Sequence, residues 1–391
     1  MIKYIGSKRV LVPSIVGAIR AAWEAVGGDW DRAPPRVLDL FSGTSRVGHA
    51  LKKSGCAVVA NDHNAYAHTL AKCYVQTDAT PRLCSRAGGL ISRLNRLADG
   101  HPAPTGEGHG LAGGYFHDTF CVKSRFVHPC NGVRIDACRE MIAEWKETGE
   151  LDEELEAVLL ASLMEAADRV DSTTGLQMAY LKRWAPRAFK PLRLRPPDLV
   201  PPARGGRCTA LGLDAFDALE TEAAEACDVV YIDPPYNQHS YLGNYHVWES
   251  LVRWDKPAVY GVACKRADVR ERRSIFNSRP RFAGAMSRLL GAVRAPVVVL
   301  SFNDEGFLTR DEIGPMLSAL HGGEVEVTTI ENDYPRYVGA KIGVHDHLGR
   351  RVGLVRHLRN KEYLYVARRT SAPARARPAR RAMPPAVALS A

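Results

Sequence analysis

A short apolar run that ends in two consecutive prolines constrains the fold of this chain more than any other feature. Residues 227–236 read Cys-Asp-Val-Val-Tyr-Ile-Asp-Pro-Pro-Tyr, and the β-branched stretch within them is typical of a buried parallel strand. Pro234 and Pro235 remove ladder donors and fix φ, so the strand must stop by Asp233. The sequence therefore predicts an α/β sheet with a stiff turn at the carboxyl end of this strand. That edge is where ligands bind in open α/β sheets.

The turn carries groups that suit an exocyclic amino group on a planar ring. Asp233 can accept one N–H, the Pro234 carbonyl can accept the other, and Tyr236 offers a ring face for stacking. An ordinary strand-to-loop turn is the alternative, since Pro and Asp are common in turns. The tetrapeptide directly after a strand favours the functional interpretation, so we treat Asp233, Pro234, Pro235 and Tyr236 as candidate catalytic residues.

A strand-turn-helix-strand pattern lies near the start of the chain. Residues 36–40 and 56–60 predict strands, and residues 41–48 predict a small-residue turn that opens a helix through Lys53. Asp62 falls 23 residues after Asp39, about where a ribose-binding carboxylate lies in dinucleotide folds. The turn reads G-x-x-x-x-G rather than G-x-G-x-x-G, so a purely structural turn is equally compatible with it. Asp39 favours a ligand with a cationic group, because a carboxylate there would repel phosphate.

Residues 63–205 interrupt this α/β pattern. Residues 88–114 are rich in Gly, Pro and His and predict a loop, whereas residues 135–170 predict a helical hairpin broken at Thr148-Gly149. Residues 182–207, called the basic segment below, carry eight Lys or Arg against Asp198 alone, with Trp184 and Phe189 interleaved. A solvated charge run is the plain interpretation, but the interleaved aromatics favour a surface for a phosphate backbone. Residues 265–281 form a second basic loop.

The α/β pattern returns after residue 205. Residues 208–213 and 296–302 predict strands, residues 247–254 predict a helix, and residues 324–330 with 361–367 predict a closing antiparallel pair. The polar, aromatic loop 237–246 offers side chains that could line a pocket. If the strands at 37–40 and 229–232 flank the reversal of strand order, their turns face each other across one crevice. A nucleoside-type cofactor held by Asp39, Gly43 and Asp62 would then lie beside an amino-bearing ring, which indicates group transfer to a nucleobase.

Composition sets broader limits. A chain of 391 residues suggests about two domains. The net charge is +10, but six arginines and no acid lie in residues 368–391, so the rest carries only +4. The nine cysteines form no C-x-x-C pair, which predicts reduced, mostly buried thiols and no structural metal. We find no signal peptide or apolar run of about 18 residues, so we expect a cytoplasmic protein without a membrane partner.

With these motifs in place, the chain resembles a family, the D12 class of DNA adenine-N6 methyltransferases, in its Dam-like α group. The resemblance extends to about Arg369. Its motifs are Tyr4-Ile5-Gly6-Ser7-Lys8, Asp39-Leu-Phe-Ser-Gly43, Asn61-Asp62, Asp214-Ala-Phe216, Asp233-Pro-Pro-Tyr236, Leu300-Ser-Phe-Asn303 and Tyr334-Pro-Arg-Tyr337. It implies a Rossmann-like, S-adenosylmethionine-dependent methyltransferase sheet with an inserted, largely helical target-recognition domain. The catalytic domain would be residues 1–72 and 206–369, the insert 73–205, and residues 370–391 a basic disordered tail.

The resemblance also implies roles for individual residues. Tyr4 and Lys8 would contact S-adenosylmethionine, and Asp62 its ribose hydroxyls. Asp39, Phe41 and Gly43 would lie near its methionine part, Asp214 and Phe216 at its adenine, and Asp233 beside it in the active site. Ser45 stands where many relatives have glycine; we expect it to fit with a negative φ and to leave cofactor binding intact.

The expected macromolecular substrate is double-stranded DNA, with Arg187, Lys190 and Arg193 on its backbone. A cognate restriction endonuclease encoded alongside is a further partner that the resemblance allows. Two other functions stay open at this point: methylation of adenine in RNA, because the same turn serves either polymer, and a catalytically silent nucleic-acid-binding protein. Transfer to N4 of cytosine is less favoured, since relatives with that activity usually carry Ser in place of Asp233.

Overall fold

The central element of the structure is a mostly parallel β-sheet. Within residues 1–108, 110–335 and 359–370, which a computed structural model of the chain describes, seven strands form this sheet and two form a separate hairpin. The strands are β1 (Arg36–Asp39), β2 (Ala57–Asn61), β3 (Thr209–Leu211), β4 (Val229–Ile232), β5 (Val259–Tyr260), β6 (Lys265–Arg266), β7 (Val297–Asn303), β8 (Val325–Pro335) and β9 (Arg359–Arg369). Their order in the sheet is β3-β2-β1-β4-β7-β9-β8.

The strand order reverses between β1 and β4. These two strands pair in parallel through Val37 with Val229 and Leu38 with Val230; β2 then continues to one side and β7 to the other, both in parallel. β9 closes the sheet antiparallel to β7, and β8 pairs antiparallel to β9. The predicted parallel strands, the switch point and the closing antiparallel pair are therefore confirmed.

Helices cover both faces of the sheet. They are α1 (Val12–Ala25), α2 (Arg46–Lys53), α3 (Ala65–Ala71), α4 (Pro81–Asp99), α5 (Tyr115–His117), α6 (Pro129–Glu147), α7 (Glu153–Arg169), α8 (Ala215–Leu219), α9 (Glu222–Glu225), α10 (Tyr241–Asn244), α11 (His246–Arg253), α12 (Arg279–Ala292) and α13 (Arg310–Ser318). Val37 and Val229 point to the face that α1 and α2 cover, whereas Leu38 and Val230 point to the face of α8, α12 and α13. This alternation of apolar residues on both faces is what a buried parallel strand requires.

A helical layer lies between β2 and β3 in the chain. The predicted hairpin is confirmed as α6 and α7, and both pack with α4 in one apolar cluster that includes Ile91, Ile142 and Leu163. The same cluster also contains Leu70 of α3 and Trp248 of α11, which lie outside residues 73–205. The helical layer therefore shares a core with the segments that flank it. Its boundaries as a domain and its role in target recognition stay predictions.

The predicted loop at residues 88–114 is wrong in its first half, because α4 continues to Asp99. Thr80 caps this helix by accepting from the Leu83 N–H at 3.2 Å, and Pro81 occupies its first turn. Apolar residues at helical spacing, among them Leu90 and Leu94, bury one face. That stripe outweighs the low helix propensity of Gly88-Gly89.

The cysteine prediction is confirmed for the described residues: all nine cysteines are free thiols, and only Cys84 is exposed. No group of three or more His, Cys, Asp or Glu in that part of the chain is placed to hold a metal ion. None of the helices that the structure describes has both the length and the apolar character that a membrane crossing requires. Residues 371–391 of the tail predicted at 370–391, and the end of the Tyr334–Tyr337 motif, lie outside the described residues.

Candidate active site

A cavity lies at the switch point, against the carboxyl ends of β1 and β4. We call it the switch-point cavity. Its walls include most of the residues that the sequence singled out, namely Tyr4, Lys8, Asp39, Phe41, Gly43, Asp62, Asp233 and Pro235. The strand order thus gathers motifs from three distant parts of the chain at the edge of the sheet where ligands bind in open α/β folds.

Asp39, the last residue of β1, is the least satisfied of the cavity's carboxylates. It is 1% exposed, and its Oδ2 accepts from the Gly48 N–H at 3.1 Å. Its buried Oδ1 has no hydrogen-bond partner among the described residues. Burial, with the nearby charge of Asp233, raises the pKa of Asp39 to about 8, although the Gly48 N–H opposes the shift. A cationic ligand group would stabilise the ionised carboxylate.

Ser45 corrects one prediction about the cofactor turn. Its φ is +59°, in the left-handed region, and not negative as expected. The residue is fully buried, its N–H donates to the Ser42 carbonyl at 2.6 Å, and no described group bonds to its hydroxyl. The turn that opens α2 therefore keeps the geometry that glycine favours, and Ser45 adopts it at a conformational cost.

The residues after β2 hold the second carboxylate in place. Asp62 accepts from the Gly43 N–H at 3.1 Å with one oxygen, and from the backbone and side-chain N–H groups of Asn64 at 3.0 Å with the other. Asn61 bonds to the carbonyls of Leu40 and Leu213, which ties the ends of three strands together. Sequence reasoning identified Asp62 but missed the cross-link through Asn61.

The N-terminal loop is fixed against the cavity by aromatic contacts. The ring of Tyr4 stacks on those of Tyr241 and Tyr245, with centroids 5.2 and 4.6 Å away, and its hydroxyl lies 3.2 Å from that of Tyr66. Gly6 has a φ of +69°, and a Cβ there would lie 2.8 Å from the Tyr241 hydroxyl. The aromatic loop 237–246 was the only sequence signal for these partners, and Tyr66 had none.

Lys8 links the proposed catalytic carboxylate to a third acidic group. Its Nζ lies 3.1 Å from Asp233 Oδ1 and 2.5 Å from Glu362 Oε1, and Lys8 and Glu362 are 6% and 3% exposed. Burial disfavours the charged form of Lys8, but Asp233 and Glu362 outweigh it and raise the pKa of Lys8 well above its usual value. Burial raises the pKa of Asp233 to about 6, with Lys8 opposing and Glu362 adding to the shift. Sequence reasoning did not identify Glu362.

Pro234 and Tyr236, in the turn after β4, are more buried than we expect for residues that contact a substrate base. Pro234 is buried, and Tyr236 is 8% exposed with its ring tilted against Phe302 at a centroid distance of 5.4 Å. The Tyr236 carbonyl accepts from the Phe307 N–H at 3.0 Å. The roles of these residues in holding a base stay predictions.

Asp214 and Phe216 lie beside the cavity, although neither is among the residues that line it; their neighbours Leu213 and Ala215 are. Asp214 caps α8 by accepting from the Phe216 N–H at 2.9 Å. The Phe216 ring stacks on Phe276, which in turn packs edge-on against Phe41. Their contact with a cofactor adenine stays a prediction. Arg46, from the predicted turn at residues 41–48, and Arg272, from the second basic loop, do line the cavity, although the sequence did not single out either as a site residue.

The basic segment is tied to the helical layer. Arg187 Nε lies 2.8 Å from Asp171 Oδ1, and Arg193 Nη1 lies 2.9 Å from Asp99 Oδ2. Lys190 is exposed and has no ion pair with a described residue, while Phe189 is 42% exposed. The second basic loop is partly internal too, since Arg266 is 1% exposed and pairs with Asp255 and Asp268. Contact between these cations and DNA stays a prediction.

Together, the mostly parallel sheet and the acidic cavity at its switch point define an α/β enzyme of a kind consistent with S-adenosylmethionine-dependent methyl transfer. Residues 4–279 match the model of the family described as D12 class N6 adenine-specific DNA methyltransferase. The chain belongs to this family of DNA adenine methyltransferases, as its motifs predicted.

Curated relatives carry names that agree with this assignment. Type II methyltransferase M.NlaIII of Neisseria lactamica is 28% identical over 319 residues, covering 79% of this chain and 86% of that protein. Type II methyltransferase M.FokI of Planomicrobium okeanokoites is 30% identical over 321 residues, and modification methylase StsI of Streptococcus sanguinis is 27% identical over 318 residues. The alignments cover 82% and 81% of this chain but only 47% and 46% of those two proteins, so the chain spans about half their length.

Proposed function

We propose that this chain transfers a methyl group from S-adenosylmethionine to N6 of an adenine that has been flipped out of duplex DNA at a specific sequence. The observation that carries the proposal is the meeting of Asp39, Asp62 and Asp233 in one cavity at the switch point of the sheet. These carboxylates supply a site for a cationic, ribose-bearing ligand beside a site for an amino group.

The chemistry of the cavity fits S-adenosylmethionine. The buried, unpartnered Oδ1 of Asp39 requires a donor or a positive charge, and the cofactor's methionine part carries both. Asp62 would accept from the ribose hydroxyls while Gly43 and Asn64 hold its orientation. Tyr4, Lys8 and Phe41 would form the rest of the wall, with Asp214 and Phe216 near the cofactor's adenine. When bound, this group supplies the methyl as an electrophile on a positively charged sulfur.

On the substrate side, Asp233 and the Pro234 carbonyl would accept the two N6 hydrogens. This pairing favours a pyramidal nitrogen whose lone pair is withdrawn from the ring and free to form the new N–C bond as the bond between the methyl group and sulfur breaks and its electron pair stays on sulfur. The negative charge of Asp233 stabilises the positive charge that develops on N6, which loses a proton afterwards. Positioning and electrostatics supply most of the acceleration. Flipping the base costs a few kcal/mol, and stacking on Tyr236 would return about 1–3 kcal/mol.

Duplex DNA would be bound through its phosphates by the basic segment, with Lys190 exposed and without an ion pair to a described residue, unlike Arg187 and Arg193. The names of the relatives, Type II methyltransferases and a modification methylase, support a role in protecting DNA from a cognate restriction endonuclease. RNA methylation and silent nucleic-acid binding are not favoured, since neither the family nor these names point to them.

The proposal is tested by expressing the chain in a host that lacks DNA methylation and sequencing the DNA with modified bases identified directly. We expect N6-methyladenine at one position of one short sequence and none with the Asp233→Ala variant. In parallel, purified protein is given labelled S-adenosylmethionine with DNA or with RNA. Methylation of RNA alone, of cytosine, or of neither polymer would contradict the proposal.

A further inference from the structure

A buried group of three ionised side chains lies where β4, β7 and β9 run side by side. Lys8 lies between Asp233, which follows β4, and Glu362 of β9. Ser301 of β7 donates its hydroxyl to Glu362 Oε1 at 3.0 Å. Glu362 is 3% exposed, so its charge is removed from water, and it is not itself among the residues that line the switch-point cavity.

Stability alone is a poor reason for such a cluster. Taking charged groups out of water costs several kcal/mol per ion, and buried ion pairs often contribute nothing net compared with apolar residues. Two carboxylates and one ammonium also leave a net negative charge in the cluster. A neutral Lys8–Asp233 pair would need no second carboxylate, so the presence of Glu362 points to a role in the site's chemistry.

We propose that Glu362 is a positioning residue for methyl transfer: it holds Lys8 against Oδ1 of Asp233 and keeps the cluster negative, which leaves Oδ2 of Asp233 free to accept from the target amino group. This inference rests on the proposed function. Without Glu362, Lys8 would neutralise the charge of Asp233 fully. Its ammonium group would also lose the contact that holds it in place beside Oδ1. Asp233 would then be a weaker acceptor and would stabilise less of the positive charge that develops on N6.

The pH dependence of the reaction reports this arrangement. The charged or titratable groups that face Asp233 are Lys8, Glu362, Asp39, Tyr231 and Tyr241. Because the ionised carboxylate is the active form, kcat should rise with pH through the pKa of Asp233, which is about 6. The negative charge of Glu362 contributes to that raised pKa. Removing the charge should therefore move the acid limb of the profile to lower pH.

The first experiment measures kcat against pH for wild type, Glu362→Gln and Glu362→Asp, with DNA and S-adenosylmethionine at saturating concentrations. We expect Glu362→Gln to lower kcat about 10- to 100-fold and to move the acid limb to lower pH, while Glu362→Asp recovers much of both. The control is Glu331→Gln on β8, the strand that pairs with β9. This change breaks an exposed ion pair between Glu331 and Lys361. A Glu362→Gln variant with the rate and acid limb of wild type would overturn the proposal.

The second experiment measures thermal unfolding and needs no activity. Lys8→Met leaves two buried carboxylates without their cation and should lower Tm, whereas the double variant Lys8→Met/Glu362→Gln should recover part of the loss. Independent, additive losses would show that Lys8 and Glu362 are not coupled and would overturn the inference. If wild type itself fails to methylate DNA, the proposed function fails, but the coupling in Tm still tests the cluster. If Glu362→Gln does not fold, Glu362→Asp and the double variant carry the test.

Discussion

In the switch-point cavity, Asp39 is 1% exposed and one of its oxygens meets no donor among the described residues. In the basic segment, by contrast, Arg187 and Arg193 each lie within 3 Å of a carboxylate, Asp171 and Asp99 respectively. The cavity therefore holds a buried carboxyl oxygen that the described residues leave without a partner, whereas Arg187 and Arg193 of the basic segment neutralise acids of the protein's own fold. A buried polar atom without a partner marks a place where a ligand can complete the structure.

Asp233→Ala is the variant that should separate the two regions most strongly. It removes the acceptor for the N6 amino group, so we expect the methylation rate to fall by about 10³-fold or more, while DNA affinity and fold persist. The measurement is labelled methyl transfer from S-adenosylmethionine to DNA, with circular dichroism and DNA binding as checks. Substantial remaining activity would remove Asp233 from the mechanism.

A matched control is available at the end of the next parallel strand. Asp304 follows β7 as Asp233 follows β4, but it is exposed, and its carboxylate accepts from the Lys361 N–H at 3.3 Å. Asp304→Ala should keep the wild-type methylation rate within a few-fold. Equal losses in the two variants would mean that acidic strand ends in general, and not the switch point, support the reaction.

Asp39→Asn tests whether the buried carboxylate of Asp39 lowers the stability of the fold and supports ligand binding. The carboxyl of Asp39 has a pKa of about 8 in the fold and of 3.8 in an unfolded chain, so its contribution to stability falls as pH rises between these values. Removing the charge should raise the free energy of unfolding by about 1–2 kcal/mol at pH 8 and little at pH 4. S-adenosylmethionine affinity should fall about 10²-fold.

Calorimetry sharpens this test. In wild type, a bound cation favours the ionised carboxylate, so affinity should rise between pH 6 and 8 with release of a proton. Titrations in buffers of different ionisation enthalpy would measure that release, which should vanish in Asp39→Asn. Unchanged affinity and proton release would exclude Asp39 from the cofactor site.

Neutralising the basic segment should have a smaller effect. For the triple variant Arg187→Gln/Lys190→Gln/Arg193→Gln we expect DNA affinity to fall about tenfold and the salt slope to decrease by about 1 for each phosphate that the protein no longer binds. Lys190→Gln alone should account for most of this, because the other two cations hold carboxylates. Arg187→Gln should instead lower Tm, since it leaves the 4% exposed Asp171 with Lys3 as its cation.

Titration of binding against salt for each single variant separates these contributions. A slope that matches wild type in Lys190→Gln would place the DNA elsewhere on the protein. A loss of binding in Arg187→Gln without a loss of stability would show that its pair with Asp171 opens on DNA. Either outcome would change the comparison between the switch-point cavity and the basic segment.

The two regions also differ in how far sequence predicted them. Asp39, Asp62 and Asp233 were identified because each ends or follows a buried strand, and parallel strands place such ends on one edge. The ion pairs of the basic segment were not predicted, because Asp99 and Asp171 lie outside that segment in the chain. Glu362 was missed for the same reason: nothing near it in sequence indicates that β9 lies beside β7.

Local patterns failed where packing decided the conformation. Gly88-Gly89 predicted a loop, yet the apolar stripe of α4 buries enough surface to keep those residues helical. The stack of Tyr4 on Tyr241 and Tyr245 has no local signal at all, since it joins the first loop to one more than two hundred residues later. Sequence thus located the strand ends, and the tertiary packing supplied their partners.

Ser45→Gly is the prediction with the smallest effect, and it concerns the backbone that shapes the cavity. A non-glycine residue in the left-handed region costs about 1–2 kcal/mol, which glycine would avoid. Glycine has greater freedom in the unfolded chain, however, and this cancels part of the gain in stability. We therefore expect a net gain of about 0.5–1 kcal/mol in the free energy of unfolding. Ser54→Gly at the other end of α2, where φ is −79°, should lower stability instead. If thermal unfolding shows both variants losing stability, the buried Ser45 side chain contributes packing that exceeds the cost of its conformation.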